Sequence, residues 1–223
     1  MPKTATIELK PRKTPVQARS SASVEAICEA AIQVLLAVGK ERLTTTRVAE
    51  RAGVSVGTLY QYFPNKSALL QAVLRAHLDN VFYAVAAACE GAKGRPLGAM
   101  ADALVESFLT AKMKHEATSR ALYYISDDVG GAEIARNNAA RGAKIVAAML
   151  ATAREPLRED PQIIAATLMA AMAGVSRRMI ESENSPKKMQ AMRQELGVMV
   201  QAYLRSCANK AGVSESRSVP AWP

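Results

Sequence analysis

Between Thr44 and Lys66 the chain reads TTTRVAERAGVSVGTLYQYFPNK, and this spacing of small and apolar residues leaves room for little except two short helices crossing at a tight turn. Ala49 lies four residues before Gly53, and Leu59 lies ten residues beyond Ala49. Two helices packed at roughly 90–120° need a small residue where their backbones meet and a residue free of Cβ strain at the turn. Val48, Ala49, Ala52, Val54 and Leu59 form an inner set, while Arg47, Glu50, Arg51, Ser55, Thr58 and Gln61 fall outward at helical spacing. An ordinary αα-hairpin with a polar face would share the A-x-x-x-G spacing alone. The polar helix start and the aromatic ending favour a helix-turn-helix that binds DNA.

The local punctuation agrees. Thr44 or Thr45 suits the cap of the second helix and Ser55 the cap of the third, since each hydroxyl can accept a free amide. Pro64 closes the third helix and pushes Phe63 towards extended backbone. Asn65 then caps a fourth helix running from Lys66 towards Cys89. Ahead of the motif, Val24, Ile27, Cys28, Ala31, Leu35 and Val38 recur every three or four residues from about Ser21, with Gly39 as a stop.

The string Val48-Ala49, Ala52-Gly53-Val54-Ser55, Gly57-Thr58-Leu59-Tyr60, Tyr62-Phe63, Asn65-Lys66 and Leu69-Leu70 resembles the amino-terminal domain of TetR-family transcriptional regulators. Tyr62 stands where many members carry histidine. The resemblance implies an all-α fold: a three-helix DNA-binding domain followed by a helical domain for ligand binding and dimerisation. It also implies a four-helix dimer interface built from the final helices. Effector binding would pivot the fourth helix and change the spacing of the recognition helices.

Charge is consistent with a nucleic-acid partner. The formal net charge of the 223 residues is +9, and residues 1–75 hold eleven Lys/Arg against five Glu. That excess beside the motif lowers the free energy of approach to phosphates. Cys28, Cys89 and Cys207 are odd in number and form no C-x-x-C, and the chain has two histidines. No disulfide framework, metal site or cofactor is expected; Cys28 reads as core packing, and redox sensing by Cys89 or Cys207 stays open. No G-x-S-x-G, phosphate loop or H-E-x-x-H is present, so catalysis is not expected. Without a signal-peptide pattern or an unbroken run of eighteen apolar residues, the expected location is the cytoplasm, with no membrane partner.

The organisation expected is a basic arm over 1–20, a helix-turn-helix domain over 21–66, a helical effector-binding and dimerisation domain over 67–208, and a disordered tail over 209–223 that holds Trp222. Lys10, Arg12, Lys13 and Arg19 of the arm are either solvated or in reach of phosphates. Glu90–Pro96 is a break, and further helices are expected near 97–115, 117–127, 132–155, 161–182 and 186–208.

Each motif residue has a physical task on double-stranded DNA. The helix from about Val56 to Tyr62 has the right length for a major groove roughly 12 Å wide. Gly57 permits close backbone approach; Thr58 and Gln61 can reach base edges, and Val56 a thymine methyl. Tyr60 and Tyr62 are expected at phosphates, as are Lys66 and, across the groove, Thr45, Thr46 and Arg47; Ser55 caps the reading helix. One such module buries too little surface for useful specificity, so a homodimer on a pseudo-palindromic operator is expected. Its seam is placed at Leu168, Met172 and Val175 with Met192, Leu196, Met199 and Tyr203; the alternative is that these stripes only fill one chain's core. An effector pocket for an unnamed small hydrophobic molecule is placed among Met100, Leu104, Phe108, Leu122, Tyr123, Met149 and Met169. Met113, Tyr124, Ile125, Val146 and Leu150 are further apolar candidates, and His115, Arg120, Asp127 and Asp128 polar ones. His77 reads as packing or surface. The function so implied is a ligand-responsive homodimeric repressor; the rivals are an enzyme and a module that coats chromosomes without specificity.

Overall fold

The computed structural model describes residues 18–181 and 185–208 of the chain, with side chains from residue 21 onward. Residues 1–17 of the basic arm and the tail with Trp222 therefore lie outside the described residues, while 18–20 of the arm already belong to the first helix. The elements are α1 (Ala18–Arg42), α2 (Thr45–Arg51), α3 (Val56–Tyr62), α4 (Lys66–Ala92), α5 (Leu97–Met113), α6 (Glu116–Ile125), a 3₁₀ turn (Ser126–Val129), α7 (Gly131–Leu150), α8 (Pro161–Glu181) and α9 (Pro186–Cys207). The fold is all-α, as the periodicity implies. Leu157 and Ala208 form one isolated bridge.

The first four helices follow the local chemistry. The Thr44 side chain accepts from the Arg47 amide, that of Ser55 from Thr58, and that of Asn65 from Ala68, so each helix start satisfies a donor otherwise left free. Phe63 is extended ahead of Pro64. Gly53 takes φ +68° between α2 and α3, and Gly39 takes φ +75° where α1 kinks before one further turn to Arg42. Val48, Ala49, Leu59 and Phe63 are buried, with Ala52 and Val54 packed beside them.

Two apolar cores divide the molecule. The first joins α1, α2 and α3 to the beginning of α4 through Ile27, Ala31, Leu43, Leu69 and Val73, and it extends to Leu122 and Ile125 of α6, Val129 of the turn and Ile134 of α7. The second joins the far half of α4 to α5, α7, α8 and α9 through Val85, Cys89, Leu104, Leu109, Val146, Ile164, Leu168 and Val200. A boundary drawn at residue 66 therefore cuts through the first core.

Two helix ends differ most from the sequence expectations. The helix expected over 117–127 ends at Ile125 and tightens into the 3₁₀ turn. The helix expected to reach 155 ends at Leu150, where the Thr152 hydroxyl donates to the Met149 carbonyl at 2.6 Å and competes with the next helical turn. Beyond it, Glu155 Oε2 accepts the Leu97 amide at 2.9 Å, so this loop caps α5 in place of the bond that Pro96 does not make. Arg158 donates from its amide to the Cys207 carbonyl and from Nε to the Ser206 carbonyl, both at 2.9 Å, tying the loop to the end of α9.

Two helical stretches, Ser21–Arg42 and Pro161–Glu181, are long and apolar enough to cross a membrane, although neither is an unbroken apolar run. Both pack on the rest of the protein, α1 on α2, α4 and α6, and α8 on α7 and α9. At the joint between turn and helix, a Cβ on Gly131 would meet Ser126 Cβ at 2.6 Å and the Ser126 carbonyl oxygen at 2.7 Å. Backbone cannot yield as a side-chain tip does. Gly131→Ala should therefore cost at least about 2 kcal/mol and lower the melting temperature by several degrees; an unchanged melting curve would show that the turn relaxes freely.

Candidate DNA-binding face and effector cavity

The outward edge of α2 and α3 carries the residues placed at DNA, in unequal positions. Thr46, Arg47, Ser55, Gly57, Tyr60 and Gln61 are exposed, while Thr45, Val56, Thr58, Tyr62 and Lys66 are half-buried. The Thr45 Oγ1 and Tyr60 hydroxyl lie 3.0 Å apart and cross-link the start of α2 to α3. Ser55 Oγ accepts the Thr58 amide at 2.9 Å and lies 2.8 Å from Thr58 Oγ1, so the Thr58 hydroxyl is already engaged. Val56 and Tyr62 lean on the first core, which limits how far either side chain extends. Gln61 and the open backbone at Gly57 are the least encumbered groups on α3.

Lys66 has a task the sequence did not announce. Its ammonium donates to the Lys40 carbonyl at 2.9 Å, bracing the kinked end of α1 against the start of α4. Lys40 in turn pairs its own ammonium with Asp128 of the 3₁₀ turn. Lys66→Met should then lower stability by about 1.5 kcal/mol, since the charged donor is lost and the Lys40 carbonyl is left without it; denaturant unfolding at neutral pH measures it.

The largest change from the sequence expectations lies in the helical body. A cavity of about 330 Å³ opens between α4, α5, α6, α7 and α8. Of the residues placed in a pocket, Phe108, Leu122, Tyr123 and Met169 line it. Met100, Leu104 and Met149 do not: each is completely buried in the second core, packed side chain to side chain with no free wall. Val146, Leu150 and Ile125 are also core, and Tyr124 faces solvent. Helical spacing identifies an inward stripe but not which part of it meets a void. The remaining apolar wall comes from Leu74, Leu78, Val81, Phe82 and Val85 on one face of α4.

The polar lining is mostly unannounced: His77, Lys112, Ser119, Asn138 and Arg177, besides the foreseen Asp127. Ser119 Oγ donates to the Lys112 carbonyl at 2.9 Å, which commits its only proton; the His77 Nε2 at 3.1 Å must therefore carry hydrogen and donate to it. Burial, reinforced by the charges of Lys112 and His115, lowers the His77 pKa from 6.5 to about 4. Burial likewise lowers the Lys112 ammonium from its usual value. Asn138 donates through Nδ2 to the Leu78 carbonyl at 3.2 Å, while its buried Oδ1 has no partner. Arg177 lies 4.7 Å over the Tyr123 ring and pairs with Glu181 at 2.8 Å. Outside the cavity wall, Arg141 stacks 4.0 Å over Phe82 and pairs with Asp79 at 2.7 Å. Of the other polar candidates, Arg120 bridges Glu116 and the Ile180 carbonyl, and His115 precedes α6.

The α6 segment with its 3₁₀ turn touches both sites. Leu122, Ser126 and Asp127 line the cavity, Ile125 and Val129 fill the first core, and Gln71 of α4 donates to the Val129 carbonyl at 3.0 Å. Its polar bonds therefore run directly to α1 and α4 of the recognition end.

The residues placed at a dimer seam also divide. Leu168, Met172 and Leu196 are buried inside the single chain, because the three–four stripe they belong to is the one facing the second core. They are not available to a partner. Val175, Met192 and Tyr203 are half-buried against that core, and Met199 is 39% exposed. The free outer faces carry Ile163, Ala166, Thr167, Ala170 and Gly174 on α8, and Ala191, Val198, Met199 and Ala202 on α9. As for the thiols, Cys89 and Cys207 are buried in the second core and Cys28 packs beside the first; burial raises Cys28 and Cys89 to about 11.

A helix-turn-helix head joined by one long helix to a helical body with a cavity defines a two-part helical regulator. Residues 27–73 match the model of bacterial regulatory proteins of the tetR family, and residues 96–204 match that of the tetracyclin repressor-like C-terminal domain. The chain belongs to the TetR family. It is 50% identical over 54 residues to the class C tetracycline repressor protein of Escherichia coli, which is 24% of this chain and 25% of that protein. It is 50% identical over 36 residues to the nucleoid occlusion factor SlmA of Haemophilus ducreyi, 16% of this chain and 18% of that one. These matches thus span a quarter or less of the relatives' length. In fold it resembles a TetR-family regulator from Mesorhizobium loti, with TM-score 0.71 and 16% identity over 86% of this chain and all of that one.

The cavity gives a pH dependence with a definite sign. Because His77 in the fold titrates at about 4, below its ordinary 6.5, the unfolded chain takes up this proton first. Its contribution to stability is complete above pH 6.5 and is lost as the pH falls towards 4. His77→Gln should flatten the pH–stability curve across that window, with little change at pH 7.5 or above; parallel curves for the two proteins would remove His77 as the cause.

Proposed function

We propose that the protein is a homodimeric, sequence-specific DNA-binding repressor, released from a pseudo-palindromic operator by a small, largely hydrophobic effector. The observation that carries this is the geometry of α4: it begins as part of the helix-turn-helix core and continues as the wall of the cavity. A ligand in the cavity therefore presses on the helix that carries the recognition module. The α6 segment supplies a second route, through Asp128 to Lys40 and Val129 to Gln71. For release, the effector must favour one spacing of the two recognition helices over the other; equal affinity for both would shift nothing.

The tetracycline repressor relative supports repression rather than activation. Function in the cytoplasm and the absence of catalysis follow from this reading. Gln61, Gly57, Tyr60 and Arg47 are the leading DNA contacts, with Ser55 capping α3, and Thr58 and Val56 in closer support. The partner copy is assigned to the outer faces of α8 and α9, where Ala166, Ala170, Gly174 and Ala202 allow helices to approach closely around Ile163, Val198 and Met199. Likeness to a nucleoid occlusion factor over 36 residues motivates a second reading, in which the module does not act at one operator and binds DNA with shallow specificity.

Selection from random duplexes decides between the two. A symmetric motif bound about 10³-fold or more over scrambled DNA at fixed salt supports the operator reading; binding that only tracks salt favours the other. Gln61→Ala should relax preference at one base position by about 1–3 kcal/mol, measured by titrating single-base operator variants. Val198→Glu or Met199→Glu should give monomers with poor operator affinity in sedimentation. A dimer unchanged in both would move the seam elsewhere.

A further inference from the structure

Among the described residues, the cavity lining carries one cation without a counter-charge. His77 is neutral at physiological pH, held by Ser119, whose own proton is spent on the Lys112 carbonyl. Arg177 already has Glu181 and the Tyr123 ring. Asp127 stands exposed on the 3₁₀ turn, which also brings Ser126 to the cavity wall. Lys112 is different: it is half-buried in the cavity lining, and among the described residues no carboxylate or hydrogen-bond acceptor meets its ammonium, although burial disfavours its charge. A partly desolvated ammonium without a counter-charge is costly, and pairing it with an anion recovers part of that cost.

The rest of the lining sets the other half of the ligand. Phe82, Phe108 and Tyr123 bring three aromatic rings to a largely apolar wall. The volume of about 330 Å³ stands at the lower end of small-molecule sites, which run about 300–1,000 Å³. We infer that the effector is a compact amphipathic monoanion, an aromatic body of about two fused rings bearing one carboxylate that pairs with Lys112 beside His77 and Ser119. A single lysine balances a single charge. A phosphate dianion would bury an excess negative charge and is disfavoured. This inference rests on the cavity being the effector site of the proposed repressor.

Titration calorimetry of the full chain with naphthalene-2-carboxylate and its neutral isostere naphthalene-2-carboxamide tests the inference at neutral pH. The acid is expected to bind about tenfold or more tightly than the amide. Lys112→Met should bring the two within about twofold, and Lys112→Arg should retain the preference for the acid. An amide that binds as well as the acid, a preference that survives Lys112→Met, or no acid binding at about 1 mM would each overturn the inference. If Lys112→Met fails to fold, the native acid-to-amide ratio and Lys112→Arg still decide. Operator release is measured in parallel. Release by neutral hydrophobic compounds without acid binding sinks only the anion inference. Acid binding through Lys112 without release from a selected operator sinks the effector reading and leaves the anion site standing.

Discussion

Everything in this molecule hangs on α4 being one continuous hydrogen-bonded rod. Asn65 caps its start inside the helix-turn-helix core, and the helix runs to Ala92 in the body core. An α-helix bends little without a proline or an inserted water, so a push on one end is delivered at the other as rotation, not as local give. Leu69, Leu70, Val73 and Leu74 fasten it to the head, while Val81, Val85 and Cys89 fasten it to the body. Between them, His77 and Leu78 face the cavity. The rod is anchored at both ends and hollowed beside its middle.

How legible each part was depends on how local its physics is. The helix-turn-helix is specified by contacts within about twenty residues: Gly53 at its positive φ, three side-chain caps, and Pro64 forcing Phe63 out of the helix. Such signals survive in any tertiary context. The cavity is a difference between long-range packings, and spacing alone cannot reveal it. Met100, Leu104 and Met149 have the same helical periodicity as Phe108, yet they fill space where Phe108 borders it. The seam raised the same difficulty. A stripe as regular as Leu168, Met172 and Leu196 is regular because it packs the chain's own core. The surplus faces hold alanine, glycine and scattered larger residues that no hydrophobic period picks out. A lysine, a serine and an asparagine among apolar helical positions were the available signal for the polar lining. Each has an innocuous surface reading when taken singly.

Polar bonds in the joint are few, and each has a specific partner. Lys40 accepts from Lys66 through its carbonyl and pairs with Asp128 through its ammonium, so one residue after the Gly39 kink ties α1 to both α4 and the 3₁₀ turn. The Gln71 bond to the Val129 carbonyl is buried, where leaving either group unpaired costs about 1–3 kcal/mol. The apolar contacts there set the packing without fixing its register. The hydrogen bonds supply that register, and they limit the arrangements open to the turn.

The first core does not respect chain order, because Leu122, Ile125, Val129 and Ile134 complete it from far along the sequence. A chimera that grafts residues 1–66 onto the body of another regulator would therefore leave part of the head's hydrophobic floor behind. To be portable, the reading head must travel with the inner faces of α6, the 3₁₀ turn and the start of α7. The unit of modularity here is a packed surface assembled from two separated stretches of chain.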